Sequence, residues 1–561
     1  MNLRPLLFLL IGGIFLQSCG LFGIRLKLHN PNQPGRVPNF SREQVLLGEM
    51  TPLRSSYDVH YYDLSIDFNP EEELLTGTVY IFATATEDLD RLQIDLHPNF
   101  EITYLSLGDD GPPLQYTRKE RAVFVELSLL KGSSFVLYVD YNGKPKKAKK
   151  APWKGGFVWE TDEQVNPWAG VACESDGASL WWPLKDHTAD EPDSMRLHYT
   201  VSEELMAIGN GQLESKSTID GKATYNWYVS YPINTYNVTV YIGKFKELKQ
   251  PYTGVGGEEM VLTHYVLEPN YEAAQYHFEQ VPDILYSFEQ QFGTYPWYRD
   301  GFKLVESPYE GMEHQTAIAY GNGYENDLNE DTDYIILHET AHEWWGNSVT
   351  AEDLADVWIQ EGFATYAEAL YLEDQEGKGA YDSHLFFYRL SIKNKYPVVG
   401  VRDRRWFHFR KNMDVYTKGA WILHTLREQI NDDDLFRDIL KTFYETYQYQ
   451  IVRSKDFVAV VNEKTGRDFQ WFFDQYLYEH YVPELEYTIT EEGELLYKWV
   501  KAVENFTKFR LFVESDPMPF VIEPTLELQR QPLPKNNSGE WNIRIPRNML
   551  VIVRENDKLG E

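Results

Sequence analysis

The sequence predicts a multidomain α+β protein with an all-β N-terminal domain, a mostly α middle domain and a small C-terminal β-domain. The chain has 561 residues, which is too many for one hydrophobic core, so we expect two to four domains. Apolar residues alternate from Tyr57 to about Gly243 and again beyond Pro483, as in strands. Between about Tyr271 and Tyr481 they recur at helical spacing instead.

The N-terminus has the pattern of a bacterial lipoprotein signal. Arg4 supplies a positive charge, and residues 6–16 form an apolar segment that is too short to span a bilayer. The sequence Leu16-Gln17-Ser18-Cys19 resembles a lipobox, in which the cysteine becomes the lipid-modified N-terminus. We therefore predict a signal peptide over residues 1–18 and a lipid anchor at Cys19. An ordinary signal peptide with a chance cysteine is the alternative.

The next two parts of the chain are predicted to be a tether and a β-domain. Residues 19–47 are polar and contain three prolines, which is typical of an extended tether. Residues 48–247 contain β-rich runs separated by Gly and Pro, and we interpret them as one domain. In its first run the alternation changes phase between Tyr61 and Tyr62.

The middle part carries a pattern that predicts a metal centre. His338 and His342 share one face of a helix predicted over residues 333–345, and Glu361 follows on a second helix after eighteen intervening residues. Two His and one Glu form one of the ligand sets of catalytic zinc, which keeps a fourth position open. We therefore predict one Zn²⁺ per chain, with Glu339 as the general base that faces water on the metal. The alternative is that the two histidines only pack on an amphipathic helix.

We predict that this middle domain covers residues 248–484 and that residues 485–561 form a small β-sandwich-like domain. The formal net charge of −33 would repel nucleic acid and anionic membrane surfaces, which argues against nucleic-acid partners. The charge does not identify a substrate, and the sequence leaves the oligomeric state open.

Several further motifs lie before and after the predicted metal ligands along the chain. They are Tyr57-Asp58-Val59, Glu310-Gly311-Met312-Glu313-His314, Trp344-Trp345-Gly346-Asn347, Glu361-Gly362-Phe363-Ala364 and Tyr416-Thr417-Lys418-Gly419-Ala420. Together with the HExxH pattern they resemble the M1 family of zinc aminopeptidases, which are gluzincins related to leukotriene A4 hydrolase and alanyl aminopeptidases. The resemblance covers residues 50–485.

The resemblance implies a fold and an activity. It implies a β-saddle domain and a thermolysin-like catalytic domain; as a departure from longer relatives, we expect no large helical C-terminal domain. The implied activity is hydrolysis of the N-terminal peptide bond of peptides with a free N-terminus. Endopeptidase or epoxide hydrolase activity is the alternative among zinc hydrolases, and an inactive surface lipoprotein that binds peptides or glycans is the alternative outside enzymes.

The resemblance also implies roles for individual residues. Tyr416 would donate a hydrogen bond to the oxyanion that forms on the substrate. Glu313 would pair with the substrate α-amine, and Glu174 would be a second anchor for that amine. Glu368 would orient a zinc-binding histidine.

The segment around Glu313 would bind the substrate backbone, and it departs from the family pattern. Gly311 and Met312 match the extended edge to which the substrate binds in the family. Glu310 replaces the family's first Gly, and His314 replaces its Asn. These two replacements put the preference of the adjoining subsites in doubt.

The lipid-anchor prediction places the protein in a bacterial cell envelope, with its soluble domains outside the cytoplasm. Cys19→Ala should release the protein from the membrane fraction or leave an uncleaved precursor, because the acceptor thiol is lost. Membrane fractionation and mass spectrometry of the mature N-terminus measure this. Cys173→Ala is the matched control and should stay in the membrane fraction; an unmodified mature N-terminus at another residue would contradict the prediction.

Overall fold

The structure is a computed structural model that describes residues 34–405, 411–516, 518–535 and 541–560. The predicted signal peptide, Cys19 and the first part of the predicted tether lie outside the described residues. Within the described part of the chain, no helix is both long enough and apolar enough to cross a membrane.

The N-terminal part is built from β-sheets, preceded by two short helices, α1 (Arg42–Gly48) and α2 (Pro52–Ser55). The strands are β1 (Tyr57–Asn69), β2 (Leu74–Ala85), β3 (Leu89–Asp95), β4 (Phe100–Leu107), β5 (Tyr116–Lys119), β6 (Ala122–Leu129), β7 (Ser134–Gly143), β8 (Gly156–Thr161), β9 (Pro167–Ala172), β10 (Ser194–Ser202), β11 (Met206–Ile208), β12 (Gln212–Ile219), β13 (Lys222–Val229) and β14 (Tyr241–Gly243). They form sheets in the orders β12-β13-β10-β1-β2-β7-β4, β11-β14-β9-β8 and β3-β6-β5.

Strand β1 shows why the alternation changes phase in the sequence. It pairs antiparallel with β2 and parallel with β10, and the register with β2 shifts between Val59 and Tyr61. Such a β-bulge adds one residue to one strand, so Tyr57 and Val59 before it and Tyr62 and Leu64 after it are all buried. One face of the strand therefore stays on the core.

The middle part combines a five-stranded sheet with helices. Its strands, in the order β15-β16-β17-β19-β18, are β15 (Phe245–Thr253), β16 (Glu259–Leu267), β17 (Leu304–Glu306), β18 (Gly311–Met312) and β19 (Ile318–Tyr320); β20 (Val349–Ala351) pairs with β21 (Gln450–Val452). Its helices are α3 (Tyr271–His277), α4 (Val281–Phe292), α5 (Tyr334–Ala341), α6 (Trp358–Glu376), α7 (Lys378–Ser391), α8 (Asp414–Ile430), α9 (Asp433–Tyr447), α10 (Ser454–Thr465) and α11 (Gln470–Tyr478). The predicted helix over 333–345 ends early, since α5 stops at Ala341 and a turn follows.

The C-terminal part returns to strands. They are β22 (Glu484–Ile489), β23 (Glu494–Lys501), β24 (Leu511–Ser515), β25 (Phe520–Ile522), β26 (Gln529–Pro532), β27 (Ile543–Arg544) and β28 (Ile552–Glu555), in the orders β26-β23-β22-β28 and β25-β24-β27. The segment before β28 is bound to the helices: the Leu550 amide donates to Thr425 Oγ1 at 3.0 Å, and Tyr476 Oη donates to the Leu550 carbonyl at 2.9 Å. The predicted multidomain α+β class is confirmed.

Two helices of the middle part cross at a pair of glycines. A Cβ built on Gly419 of α8 would lie 2.9 Å from Cα of Gly362 in α6, and one built on Gly362 would lie 3.0 Å from Cα of Gly419. Real Cβ atoms are essentially never found closer than 3.0 Å to another heavy atom, so this close approach requires glycine at 419, and a Cβ at 362 would also be unusually tight. The crossing brings Glu361 of α6 next to Tyr416 of α8.

Gly419→Ala should lower the melting temperature, because the added methyl group separates α6 from α8. Overpacking of this kind costs about 1–3 kcal/mol. Gly379→Ala in α7 is the matched control, since a Cβ there meets no atom within 4 Å and alanine favours a helix by about 0.5–1 kcal/mol. Equal melting temperatures for parent and Gly419→Ala would contradict the close crossing.

Candidate metal centre and active site

Helix α5 is fixed at its start by a buried aspartate. Asp333 Oδ1 accepts the backbone N–H groups of Ile335 at 2.8 Å and Ile336 at 3.2 Å, which caps the helix. Asp333 Oδ2 contacts His277 Nε2 at 2.8 Å and accepts a bond from Tyr320 Oη at 2.8 Å. The helix that carries His338 and Glu339 is therefore held against the sheet and α3.

Three buried side chains converge just beyond this cap. The Nε2 atoms of His338 and His342 are 3.2 Å apart, and Glu361 Oε2 lies 3.5 Å from the first and 3.4 Å from the second. His338, His342 and Glu361 are each at most 5% exposed. His342 lies one residue past the end of α5 but keeps helical backbone angles, so the one-turn spacing is preserved.

The three atoms fit a metal ion. A tetrahedral zinc site with ligands at about 2.0–2.1 Å has ligand-to-ligand edges of about 3.3–3.4 Å, close to the observed triangle. Glu361 Oε2 is buried and has no hydrogen-bond partner among the described residues, as expected of an atom whose partner is a cation. These are the ligands that the sequence predicted.

The other imidazole nitrogens are already bonded. His338 Nδ1 contacts Glu368 Oε1 at 2.7 Å, and His342 Nδ1 contacts the Trp345 carbonyl at 2.8 Å. An acceptor at Nδ1 places the proton there and leaves Nε2 free as a metal ligand. Glu368 therefore lies beside His338, the position that the resemblance implied for it.

The charge state of the Glu361 and Glu339 carboxyl groups depends on nearby positive charge, from the imidazoles or from a metal ion. Burial raises the pKa of Glu361, but hydrogen bonds and charge from the imidazoles of His338 and His342 have the larger, opposite effect. The net result is a pKa of about 2. Burial raises the pKa of Glu339 to about 8, although the two imidazoles lower it. A positive ion near a carboxyl group favours its charged form, so metal binding would favour the basic form of Glu339.

A second group of carboxylates lies beside the metal ligands. Glu313 is 4% exposed, and its Oε1 accepts a bond from Tyr236 Oη at 3.0 Å. Glu174 is buried, and its Oε1 has no partner among the described residues. Burial, followed by the charges of Glu313, Glu361 and Glu339, raises the pKa of Glu174 well above its usual value. The pair can bind a cation such as an ammonium group.

Tyr416 reaches the metal ligands from α8. Its hydroxyl donates to Glu361 Oε1 at 2.7 Å, and its ring lies 6.3 Å from the ring of His338. Burial and the nearby charge of Glu361 raise its pKa well above the usual value, so the phenol keeps its proton and remains a donor. The role predicted for it at the substrate oxyanion stays a prediction.

Strand β18 forms the edge of the five-stranded sheet next to Glu339. A Cβ on Gly311 would lie 2.7 Å from Glu339 Oε1 and 2.8 Å from Ile335 Cγ2, so a larger residue would displace these side chains, and Met312 is buried. Burial raises the pKa of the adjoining Glu310 to about 7. Burial also lowers the pKa of His314 to about 3, and its Nδ1 contacts Tyr241 Oη at 2.7 Å. His314 therefore faces the N-terminal domain as a neutral side chain.

Some residues of the site were not found from the sequence. Tyr236 holds Glu313 and accepts a bond from Gln360 Nε2 at 3.0 Å, yet it precedes Glu313 by 77 residues and carries no motif. Trp153 lies with its ring 6.4 Å from that of Tyr416. It belongs to a basic loop that resembles an ordinary surface loop, so charge alone could not reveal this position.

Comparison with known proteins assigns the middle of the chain to a family. Residues 276–476 match the peptidase family M1 domain, so this part of the chain is an M1 peptidase domain. The chain is 22% identical over 439 residues to probable aminopeptidase 2 of Sulfurisphaera tokodaii, covering 72% of this chain and 52% of that protein. It is 24% identical over 584 residues to aminopeptidase B of Mus musculus, covering 92% and 85% respectively.

Solved structures share the fold. A crystal structure of a mutant M1 zinc metallopeptidase from Deinococcus radiodurans, bound to the substrate Tyr-Ser-Ala, superposes with a TM-score of 0.64. The identity is 22%, and the match covers 77% of this chain and 96% of the other. The chain spans about half the length or less of the first curated relatives that it matches, so the activity of the whole protein has to be argued from its own site.

Mutations should distinguish the metal ligand His342 from Glu339, which is not expected to bind the metal. His342→Ala should lose bound zinc, because one of three ligands is removed. Glu339→Gln should keep the zinc content of the parent, since Glu339 is not one of the three residues whose ligand atoms converge. Zinc analysis of the purified proteins measures both, and equal zinc content in His342→Ala and the parent would contradict the assignment.

Proposed function

We propose that this chain is a zinc-dependent aminopeptidase that hydrolyses the first peptide bond of peptides with a free N-terminus. One observation carries the proposal: Glu313 and Glu174 are both buried, and the charge of Glu361 acts on both carboxyl groups. The M1 peptidase domain and the aminopeptidase names of its relatives support it.

His338, His342 and Glu361 would hold one zinc ion per chain. Bound zinc supplies Lewis-acid chemistry, which polarises a carbonyl oxygen and lowers the pKa of a coordinated water. The hydrogen bonds at both Nδ1 atoms keep the imidazoles in the tautomer that ligation requires.

Glu339 acts as the proton carrier. It follows His338 directly on α5, is 7% exposed, and its Oε1 borders the edge strand β18 at Gly311. Its carboxylate takes a proton from the attacking water and passes it to the leaving amine. Burial raises its pKa, and a metal ion held by the neighbouring ligands would favour the carboxylate form that accepts the proton.

Glu313 and Glu174 set the register of the substrate. The substrate's α-ammonium group would pair with both carboxylates, and the Tyr236 hydroxyl donates a hydrogen bond that holds Glu313 in place. A peptide bound in mid-chain brings no cation, so it would leave these buried carboxylates unpaired and bind poorly. This arrangement favours an exopeptidase over the endopeptidase alternative.

Attachment to a bacterial membrane through Cys19 is a separate proposal that is supported by the sequence alone. It would place the peptidase on the outer side of a cytoplasmic membrane or in the envelope beyond it, where it would meet extracytoplasmic peptides.

Glu313→Gln should reduce kcat/KM for aminoacyl substrates by at least roughly tenfold with zinc content unchanged, because a charge-assisted bond is worth about 1.5–3 kcal/mol. N-acetylated versions of the same substrates should be essentially uncleaved by the parent. A fluorogenic aminoacyl panel with acetylated partners measures both.

Glu325→Gln is the matched control for this variant, since it removes one exposed carboxylate from the loop that follows. It should match the parent. Equal cleavage of acetylated and free substrates would overturn the amine-anchor argument and favour an endopeptidase.

A further inference from the structure

Glu368 connects the metal ligands to a helix that the mechanism does not use. It follows Glu361 by two turns of α6 and is fully buried. Its Oε1 is 2.7 Å from His338 Nδ1. Its Oε2 contacts His384 Nε2 at 2.9 Å and also accepts a hydrogen bond from the Tyr388 hydroxyl. One carboxylate therefore accepts three side-chain hydrogen bonds.

Both partners of Oε2 come from α7. His384 and Tyr388 are one turn apart, and their rings meet edge to face with centroids 4.4 Å apart. The side chain of His384 is 10% exposed, so its bond to Glu368 is shielded from water. The two donors therefore approach the carboxylate as one rigid unit.

Helix α7 is itself held from two sides. On its inner face, Trp421 Nε1 donates to the Leu385 carbonyl at 2.6 Å. At its C-terminal end, Arg389 Nη2 donates to the Val551 carbonyl at 2.8 Å, in the segment that leads into β28. In contrast, Phe386 and Leu390 are 55% and 67% exposed. The helix is thus clamped between α8 and the C-terminal domain while its outer face is open.

We propose that His384 and Tyr388 are positioning residues for the metal ligand His338, acting through Glu368. By occupying Oε2 they fix the plane of the carboxylate, so that Oε1 stays in line with His338 Nδ1. That bond in turn fixes the tautomer and the orientation of the imidazole, with Nε2 toward the metal. Arg389 extends the same support to the C-terminal domain.

The energetic reason is the burial of Glu368. A buried carboxylate that loses two of three donors is no longer satisfied, and it gains by turning toward other donors or water. Either movement weakens its bond to His338 Nδ1. Groups that orient a metal-binding histidine typically change metal affinity by about 10- to 100-fold when mutated.

This inference depends on the proposed function in one respect, namely that the bound metal is zinc. The zinc dissociation constant is measured by competition with a chromophoric chelator for the full chain, for Tyr388→Phe, His384→Ala and the double variant. The double variant should bind zinc roughly 10- to 100-fold more weakly. His384→Gln should regain part of the loss, because its amide nitrogen can donate to Glu368 Oε2.

Tyr381→Phe is the matched control on the same helix. Tyr381 is buried, and its hydroxyl contacts Tyr366 Oη at 2.8 Å and His424 Nδ1 at 2.7 Å, with no bond to Glu368. It should keep the zinc affinity of the parent even if its melting temperature falls. The visible spectrum of the Co²⁺-substituted protein should change in His384→Ala and not in Tyr381→Phe.

The outcomes separate the two proposals. A parent chain that binds no zinc would overturn the proposed function. A parent that binds zinc, with a double variant of equal affinity and an unchanged Co²⁺ spectrum, would overturn the inference about His384 and Tyr388 alone. Equal weakening in Tyr381→Phe would also overturn it, because the effect would then be a general loss of stability.

Discussion

The active region depends on the burial of several carboxylates in one place. Glu174, Glu313, Glu339 and Glu361 all lie within the protein and influence one another's charge. Like charges in a poorly solvated site repel strongly, and such a group is stable only if cations or protons compensate it. Two positions for cations are built in: the triangle of His338, His342 and Glu361, and the space next to Glu313 and Glu174. A metal ion and a substrate ammonium group match these two positions.

This site exists only because two parts of the chain pack together. The N-terminal β-sheets supply Glu174, just after β9, and Tyr236, whereas the metal ligands come from α5, the following turn and α6. The Tyr236 hydroxyl joins the two parts, since it bonds both Glu313 and Gln360. The C-terminal strands contribute from farther away, through the contact of Arg389 with Val551. Amine binding would therefore be a property of the assembled chain, while the three metal ligands are local to the middle domain.

The sequence predicted the parts of the site that depend on local geometry. Two histidines one turn apart converge whether the helix continues or ends at Ala341, so His338 and His342 could be assigned before the fold was known. The phase change in β1 was visible in the sequence, but its cause, a bulge opposite β2, required the pairing partner. Tyr236 could not be predicted, because its role depends on a contact across two domains. His384 and Tyr388 had the spacing of one helix face, but a His and a Tyr at that spacing are common in ordinary helices.

The most direct test of this account is zinc-edge anomalous diffraction from crystals of the purified protein with a bound amino acid or an uncleaved peptide. One strong anomalous peak per chain is expected within bonding distance of His338 Nε2, His342 Nε2 and the Glu361 carboxylate, with the ligand's amine against Glu313. A peak elsewhere in the chain, or an amine bound away from Glu313 and Glu174, would contradict it.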